Sequence, residues 1–458
     1  MYVLAPTSQS ALYALLGIVL ILLFKPIIDV LRSPVRHIPG PLLARFTRLW
    51  YFLHVKNGHF HAENLELHRK YGKVVRYAPG RYSIGDTDAL KTIYTSGQGF
   101  NKSGWYAAFS PSRAAAIFTE RDNKIHAGIR RKFQHTYSMS HMVSYEAFAD
   151  SCTNIFRQRL TEHAEAYKPI DMAWWFNCYA TDTLACISSS RRMGDLHVGE
   201  DAISERRKIR QAGKKVADGA DEYAAKDMLD NFLDANDREP NHLTNGDIAA
   251  GMSGNVVAGS DTTAATLTAL LYHMLKTPKK LTKLRREIAD GSASGKLSSP
   301  VTFKQAQELP YLQAVIQETL RVHPSVGLPF ERVVTAGGMH LCGNLFPEGS
   351  IVGVNAWVVH YDTEVYGPDA AEFKPERWFD SDQEKPARMR RNWLPFGLSS
   401  RTCIGKNLSM LEMTKLVPEL VRHFDFELVS SEEREVMSHW FVIPKALNAT
   451  VKQRAHQH

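Results

Sequence analysis

The chain has 458 residues, 44% hydrophobic and 23% charged, a balance that excludes disorder and fits one large core or two subdomains. Its net charge of +8 arises from 56 basic residues interleaved with 48 acidic ones, which argues against a nucleic-acid partner and leaves a membrane surface or an acidic protein open. The cysteines, Cys152, Cys178, Cys186, Cys342 and Cys403, form no C-x-x-C pair, so neither a disulfide framework nor a structural zinc site is expected, and a reducing compartment fits.

The first predicted element is the apolar run Ala11–Phe24 (ALYALLGIVLILLF), extended past Lys25 by PIIDVL and followed by Arg32, Arg36 and His37 before Pro39-Gly40-Pro41. It is shorter than the roughly 20 residues that cross a bilayer comfortably, so a cleaved secretory signal and a buried core helix compete with a membrane anchor. The run has no charged segment before it, no small-x-small site at its end, and its basic residues on the C-terminal flank. That pattern favours an anchor whose flank stays cytosolic. Residues 1–36 are therefore expected to be the anchor with its basic flank and residues 37–458 a single catalytic unit, without repeats or low-complexity linkers. Strand-like pieces, Lys73–Tyr77 and Arg81–Ile84, come first; helical patterns take over near Asp122, punctuated by Pro278, Pro310, Pro324 and Pro329. A strand-rich stretch is expected again over Gly349–Asp362. The fold class is mainly α with a smaller β region.

Three constellations carry chemistry. Gly254–Leu275 has helical character, yet Ala258 and Gly259 lead directly into Ser260-Asp261-Thr262-Thr263 within an apolar stretch. Glycine inside a helix costs about 1 kcal/mol against alanine, and an acid among hydroxyls prefers water. Something that needs close backbone approach and a supply of protons is expected against it; the plainer reading is an exposed polar face. Next, Glu318 and Arg321 in YLQAVIQETLR share a helix face and can pair, an arrangement that is ordinary on solvated helices. Last, FGLSSRTCIG (Phe396–Gly405) places Arg401 and Cys403 before a segment of helical periodicity. A lone cysteine is an inert core thiol, a nucleophile or a metal ligand. Here free N–H groups at a helix entrance and a nearby cation favour the thiolate, and no local histidine base marks a nucleophile. Such a thiolate suits the axial position on haem iron, with Gly405 letting the backbone approach the porphyrin.

In this order the motifs resemble those of membrane-anchored eukaryotic cytochrome P450s, haem-thiolate monooxygenases. The pattern FxxGxRxCxG corresponds to Phe396 through Gly405, E-x-x-R to Glu318 and Arg321, and [AG]-G-x-[DE]-T to Ala258 through Thr262; FKPERW (Phe373–Trp378) matches the family's Pro-Glu-Arg segment. The resemblance reaches from the Pro39-Gly40-Pro41 hinge to about Leu428. SRTCIGKNLSMLEMTKLVPEL and FNKSGW resemble the fungal pisatin demethylase type. It implies haem b held by Cys403, a structural triad of Glu318, Arg321 and Arg377, and propionate partners in His126, Arg130, Arg332 and Arg401. Proton delivery would fall to Asp261 and Thr262. It further implies a lipophilic substrate, a fungal secondary-metabolite intermediate, oxidised with electrons from NADPH through a cytochrome P450 reductase docked on a basic face. The location implied is the endoplasmic reticulum membrane, with the catalytic domain in the cytosol. A haem-thiolate isomerase or dehydratase, and a haem-binding protein without turnover, are the alternatives.

Two departures stand out. Ser399 occupies a position where the family usually has glycine, so a positive φ there would be strained. Between Gly194 and Asp247, where the family builds a helical pair over its pocket, the sequence is charged, poor in apolar residues and roughly fifty residues short of the usual length. Either the lid is abbreviated or an exon is missing.

Overall fold

The computed structural model describes residues 13, 16, 17, 24–95, 99–109, 116–190, 226–380, 382, 384–430 and 435–454. Most of the apolar run Ala11–Phe24 therefore lies outside the described residues, as do positions 191–225 of the short segment. Among the described residues no helix is long and apolar enough to cross a membrane.

In chain order the elements begin with α1 (Leu49–Lys56), α2 (Phe60–Tyr71), β1 (Val74–Ala78), β2 (Arg81–Ile84), α3 (Thr87–Tyr94) and β3 (Asn101–Lys102). They continue with α4 (Asn123–Phe133), α5 (Met139–Ser144), α6 (Glu146–Ala166), β4 (Ile170–Asp171), α7 (Met172–Ser189), α8 (Met228–Arg238) and α9 (Asn245–Lys276). Then come α10 (Pro278–Ala293), α11 (Phe303–Gln307), α12 (Pro310–Val322), β5 (Arg332–Val333), β6 (Met339–Leu341), β7 (Asn344–Phe346), β8 (Ile351–Gly353), α13 (Ala356–Val359) and α14 (Thr363–Tyr366). The last are α15 (Glu384–Arg391), α16 (Lys406–His423), β9 (Phe424–Leu428), β10 (Val436–Ser438), β11 (Val442–Pro444) and β12 (Asn448–Gln453). The molecule is mainly helical with a smaller strand content, as expected. The prolines at 278 and 310 do not merely interrupt: each is the first residue of its helix, where the missing N–H is not needed and the fixed φ suits the first turn.

The chain divides into two compact units, 1–103 with 328–359 and 104–327 with 360–458. The first is built on a sheet ordered β1-β2-β8-β5-β3. Its β1 and β2 are antiparallel, with Val74 opposite Ile84, and β2 runs parallel to β8, with Arg81 opposite Ile351. Every residue of β1 and β2 is buried, including the ionic ones. For Arg81, Glu331 makes this possible, because its carboxylate accepts hydrogen bonds from Tyr77 Oη, Arg81 and Ser103 Oγ, whereas Arg76 Nη2 donates to Val35 O at 2.6 Å. The expected strand-rich stretch from Gly349 is shorter than anticipated: after β8 the backbone turns into α13, with Asn355 Oδ1 accepting from Trp357 N at 3.0 Å. The residues of α13, AWVV, are buried throughout, and a short run that is apolar on all sides has no period to separate strand from helix.

The second unit holds the main core, in which apolar side chains from α6, α7, α9, α12 and α16 meet. Helix α9 starts at a reciprocal capping box between Thr244 and Asp247, which satisfies two of the backbone donors that a helix start leaves free. Strands β4, β12 and β9 form a small antiparallel sheet, and β10 and β11 a hairpin.

Candidate active site

The loop before α16 is shaped by its own backbone. Gly397 N donates to Leu394 O at 3.0 Å, Cys403 N to Phe396 O at 2.8 Å, and Thr402 N to Ser399 O at 3.1 Å. The tight path needs positive φ at two places, Gly397 at 72° and Ser399 at 56°, so the departure noted at Ser399 falls where a left-handed residue is required. Gly405 precedes α16 without any side-chain cap. The first N–H groups of the helix are thus free to turn inward, and those of Gly405 and Lys406 reach the Cys403 sulfur. Burial pushes the Cys403 thiol up, while those two donors and the charges of Arg130 and Lys406 pull it down. Of the cysteines, only Cys403 is classed as exposed; Cys152 and Cys186 are buried against each other, their sulfurs 3.7 Å apart. A cation beside Cys403 would make the thiolate the stable form.

Helix α4 supplies a cation and a buried histidine. His126, 3% exposed, and Arg130 lie four apart on one face of it. Arg130 Nη1 donates to Thr402 O at 2.7 Å, which ties α4 to the cysteine loop. Burial lowers its pKa, and the Cys403 charge opposes that shift. No carboxylate pairs with Arg130 among the described residues. Arg401 is engaged differently: Nη2 donates to Asn123 Oδ1 at 2.8 Å, Nη1 to Glu120 O at 2.6 Å and Nη2 also to Arg121 O at 2.9 Å. It clamps the loop onto the start of α4. Arg332 belongs to the other unit, where it is 6% exposed, donates to Glu331 O at 2.9 Å and lies 5.0 Å from the Tyr94 ring centroid. It too lacks a carboxylate partner among the described residues. Within the unit that carries the cysteine, a half-buried guanidinium without an acid partner beside a thiol that two N–H groups reach has the chemistry to hold an iron porphyrin and one of its carboxylates.

On α9, Asp261 Oδ1 accepts from Asn177 Nδ2 of α7 at 2.9 Å. The hydroxyls turn back on the helix: Thr262 Oγ1 donates to Ala258 O at 2.8 Å, and Thr266 Oγ1 to Thr262 O at 2.9 Å, a pattern that loosens a helix locally. The close approach anticipated at Gly259 comes from a neighbouring helix, since a Cβ there would stand 2.8 Å from Leu184 Cδ2 of α7. Thr263 joins this stretch to the helix behind the cysteine, donating to Ser409 Oγ at 3.1 Å and bonding the Glu412 carboxyl. Asn177, Ser409 and Glu412 were not singled out from the sequence. The only hint was a polar residue at a core spacing of an apolar helix.

Glu318, Arg321 and Arg377 come together as the resemblance implied. Arg321 Nη2 and Nε donate to the two Glu318 oxygens at 2.8 and 2.9 Å. Arg377 Nε donates at 2.9 Å, Trp378 Nε1 at 3.0 Å and Lys374 N at 2.8 Å. Glu318 and Arg321 are fully buried. His360, also missed from sequence, connects this cluster to the cysteine loop: Leu394 N donates to Nε2 at 2.9 Å, so the proton sits on Nδ1, which donates to Arg321 O at 2.9 Å. Burial holds its pKa down at about 3, which fixes the neutral ring.

The profile of the family described as Cytochrome P450 matches residues 39–206 and 199–451, two stretches that meet inside the segment read as short. A "Cytochrome P450 monooxygenase" of Aspergillus terreus is 35% identical, the match covering 89% of this chain and 94% of that protein. "Pisatin demethylase" of Fusarium vanettenii is 32% identical, covering 92% and 89%, and "Cytochrome P450 monooxygenase cicH" of Emericella nidulans 33%, covering 92% and 95%. The Aspergillus terreus alignment runs over 463 residues although it spans only 89% of a 458-residue chain, so the relative carries residues that this sequence lacks. The cysteine loop, the buried Glu318 cluster and these matches agree: the chain belongs to the cytochrome P450 family, oxygen-incorporating oxidoreductases whose haem iron is bound by a cysteine thiolate.

Proposed function

We propose that this chain is a membrane-anchored monooxygenase that inserts one oxygen atom from O2 into a C–H bond of a lipophilic small molecule, an intermediate of fungal secondary metabolism. Electrons come from NADPH through a cytochrome P450 reductase at the endoplasmic reticulum membrane, with the catalytic domain in the cytosol. The observation that carries the reading is the Cys403 sulfur at the start of α16, accessible and ringed by the N–H groups of Gly405 and Lys406. The family of the relatives and the name of one of them, pisatin demethylase, support a small organic substrate; the net charge of +8 suits an acidic redox partner.

Bound haem would supply the activation of O2. Cys403 would hold the iron. Arg130, with His126, would take a propionate, while Arg401 keeps the loop seated on α4; for Arg332 the role of a further propionate partner rests on the family resemblance alone. Asp261 passes protons inward and Asn177 fixes which of its oxygens is committed to a hydrogen bond. The Thr262 hydroxyl, resting on Ala258 O, can turn to donate a proton to a reacting oxygen, and the helix loosened around it makes that turn inexpensive. Glu318, Arg321, Arg377 and His360 touch no reacting atom; they keep the segment leading to Phe396 in place.

Cys403→His is expected to keep some haem and lose the red-shifted reduced-carbonyl Soret band, because imidazole donates far less charge to iron. An unchanged band in that variant would remove Cys403 as the ligand of the iron.

A further inference from the structure

Residues 34–37 form a turn on the way from the apolar run to β1, and arginines meet the carbonyls around it. Arg36 Nη1 donates to Leu31 O at 3.1 Å, Arg45 Nη1 to Arg36 O at 2.8 Å and Arg45 Nη2 to Ile38 O at 3.3 Å. From β1, Arg76 Nη2 donates to Val35 O at 2.6 Å and Arg76 N to Pro39 O at 2.8 Å. Among the described residues no carboxylate pairs with Arg45 or Arg76. Arg76 is 2% exposed, and its Nε has no hydrogen-bond partner there. Burial lowers its pKa, Tyr82 opposes that shift and the like charge of Arg45 adds to it. Cations placed like this are ordinarily matched by an acid.

Ser33 stands where an acid can be supplied. Its side chain hydrogen-bonds the Tyr82 hydroxyl, on which the charges of Arg76 and Arg45 also act. Tyr82 lies opposite Arg76 in the β1–β2 ladder, with the Arg76 guanidinium carbon 5.2 Å from its ring centroid. The local sequence, Ser33-Pro34-Val35-Arg36, puts a proline directly after the serine and a cation two residues beyond it. Arg32, Pro34 and Arg36 are exposed and Ser33 is half-buried. Proline-directed serine kinases accept this order, because proline has no N–H to leave unpaired in the kinase groove. The same order occurs at Ser110 and Thr277, so the pattern alone does not choose between them. Ser110 lies outside the described residues, and Thr277 is held at the junction of α9 and α10, its Oγ1 donating to His273 O at 2.6 Å. What singles out Ser33 is the pair of guanidinium groups without acids.

We propose that Ser33 is a phosphorylation site for a proline-directed serine kinase, and that Arg45 and Arg76 receive its phosphate and close residues 33–39 onto β1 and β2. In the transfer, the bond from the γ-phosphorus of ATP to its bridging oxygen breaks and a bond from Ser33 Oγ to that phosphorus forms. ADP leaves, and the hydroxyl proton passes to the kinase's catalytic carboxylate. Ser33 gives up its bond to Tyr82 and gains about two negative charges with three acceptor oxygens. A dianion there relieves the repulsion between the two guanidinium groups, whose donor forks match phosphate oxygens.

The test treats the purified, haem-loaded full chain in detergent with MgATP and a cyclin-dependent serine kinase, and locates phosphate by peptide mass spectrometry. Hydrogen exchange of the amide at position 76, which is bonded to Pro39 O, then reports how often the segment leaves β1. The expected result is phosphate on Ser33, abolished by Ser33→Ala, and about tenfold slower exchange at position 76 in the phosphorylated chain. That slowing should be lost in Arg76→Gln and also in Arg45→Gln, which alters a less buried side chain and answers the question if the first variant fails to fold. Phosphate found only at other residues, exchange at position 76 unchanged or faster, or a slowing that survives Arg45→Gln overturns the proposal. Neither readout uses turnover, so failure here leaves the monooxygenase reading standing.

Discussion

Ser399, at φ 56°, holds a backbone conformation that costs an L-residue roughly 1 kcal/mol and glycine almost nothing. Ser399→Gly is therefore expected to stabilise the folded chain by about that amount, read as a higher urea midpoint with an unchanged carbonyl spectrum; a lower midpoint would mean that the serine side chain makes a compensating contact. Glu412 is the other residue out of its element. It is 2% exposed, Oε2 has no hydrogen-bond partner among the described residues, and burial pushes its pKa up to about 8, opposed only by Thr263. The folded chain thus binds this proton more tightly than the unfolded chain does. The resulting stability is complete below the ordinary carboxylate pKa and is lost as pH rises through about 8, at up to about 1.4 kcal/mol per pH unit. Glu412→Gln stays neutral at every pH and should remove that slope, so it should gain on the parent steadily between pH 5 and 8. Parallel stability curves across that range would show that the carboxyl is already charged. The titration was invisible in the sequence because position 412 carries a glutamate at ordinary helical spacing, and its isolation is made by α7 and α9.

Helices α7 and α9 cross closely because Gly259 has no side chain. Leu184, whose methyl would stand 2.8 Å from an added Cβ, is 1% exposed and has little room to retreat. Gly259→Val is expected to destabilise the protein by about 1–3 kcal/mol, and Leu184→Ala in the same chain to recover part of that loss. Thermal unfolding of the two single variants and the double variant checks it; strictly additive effects would mean that the two positions do not meet. The sequence made the glycine legible as a site of close approach but not what approached, since the partner lies on another helix. The Glu318 cluster shows the same limit. Its i, i+3 pair reads as an ordinary surface pair, and what makes it a core element is the arrival of Lys374 N, Arg377 and Trp378 from a distant segment. Only the resemblance pointed to Arg377, and nothing pointed to His360. The prolines at 278 and 310 were legible as boundaries because their constraint is local.

At the scale of the molecule, the helical majority, the order of the motifs and the family were all legible, because each rests on local pattern. The short segment Gly194–Asp247 was legible as a departure in length, and the two-piece family match and the longer alignment with the Aspergillus terreus protein agree with it. The interleaving of the two units was not legible, since contacts across hundreds of residues leave no periodic trace. It also has a temporal side. Strand β2 is made early, but its parallel partner β8 leaves the ribosome only after every helix from α4 to α12 has been made, a delay of tens of seconds at about 5–20 residues per second. Throughout that interval the Arg81–Ile84 edge stands open, a template for pairing with any other nascent strand. How much of this protein a cell obtains then depends on the sheltering of one four-residue edge during elongation, and slower translation lengthens the risk.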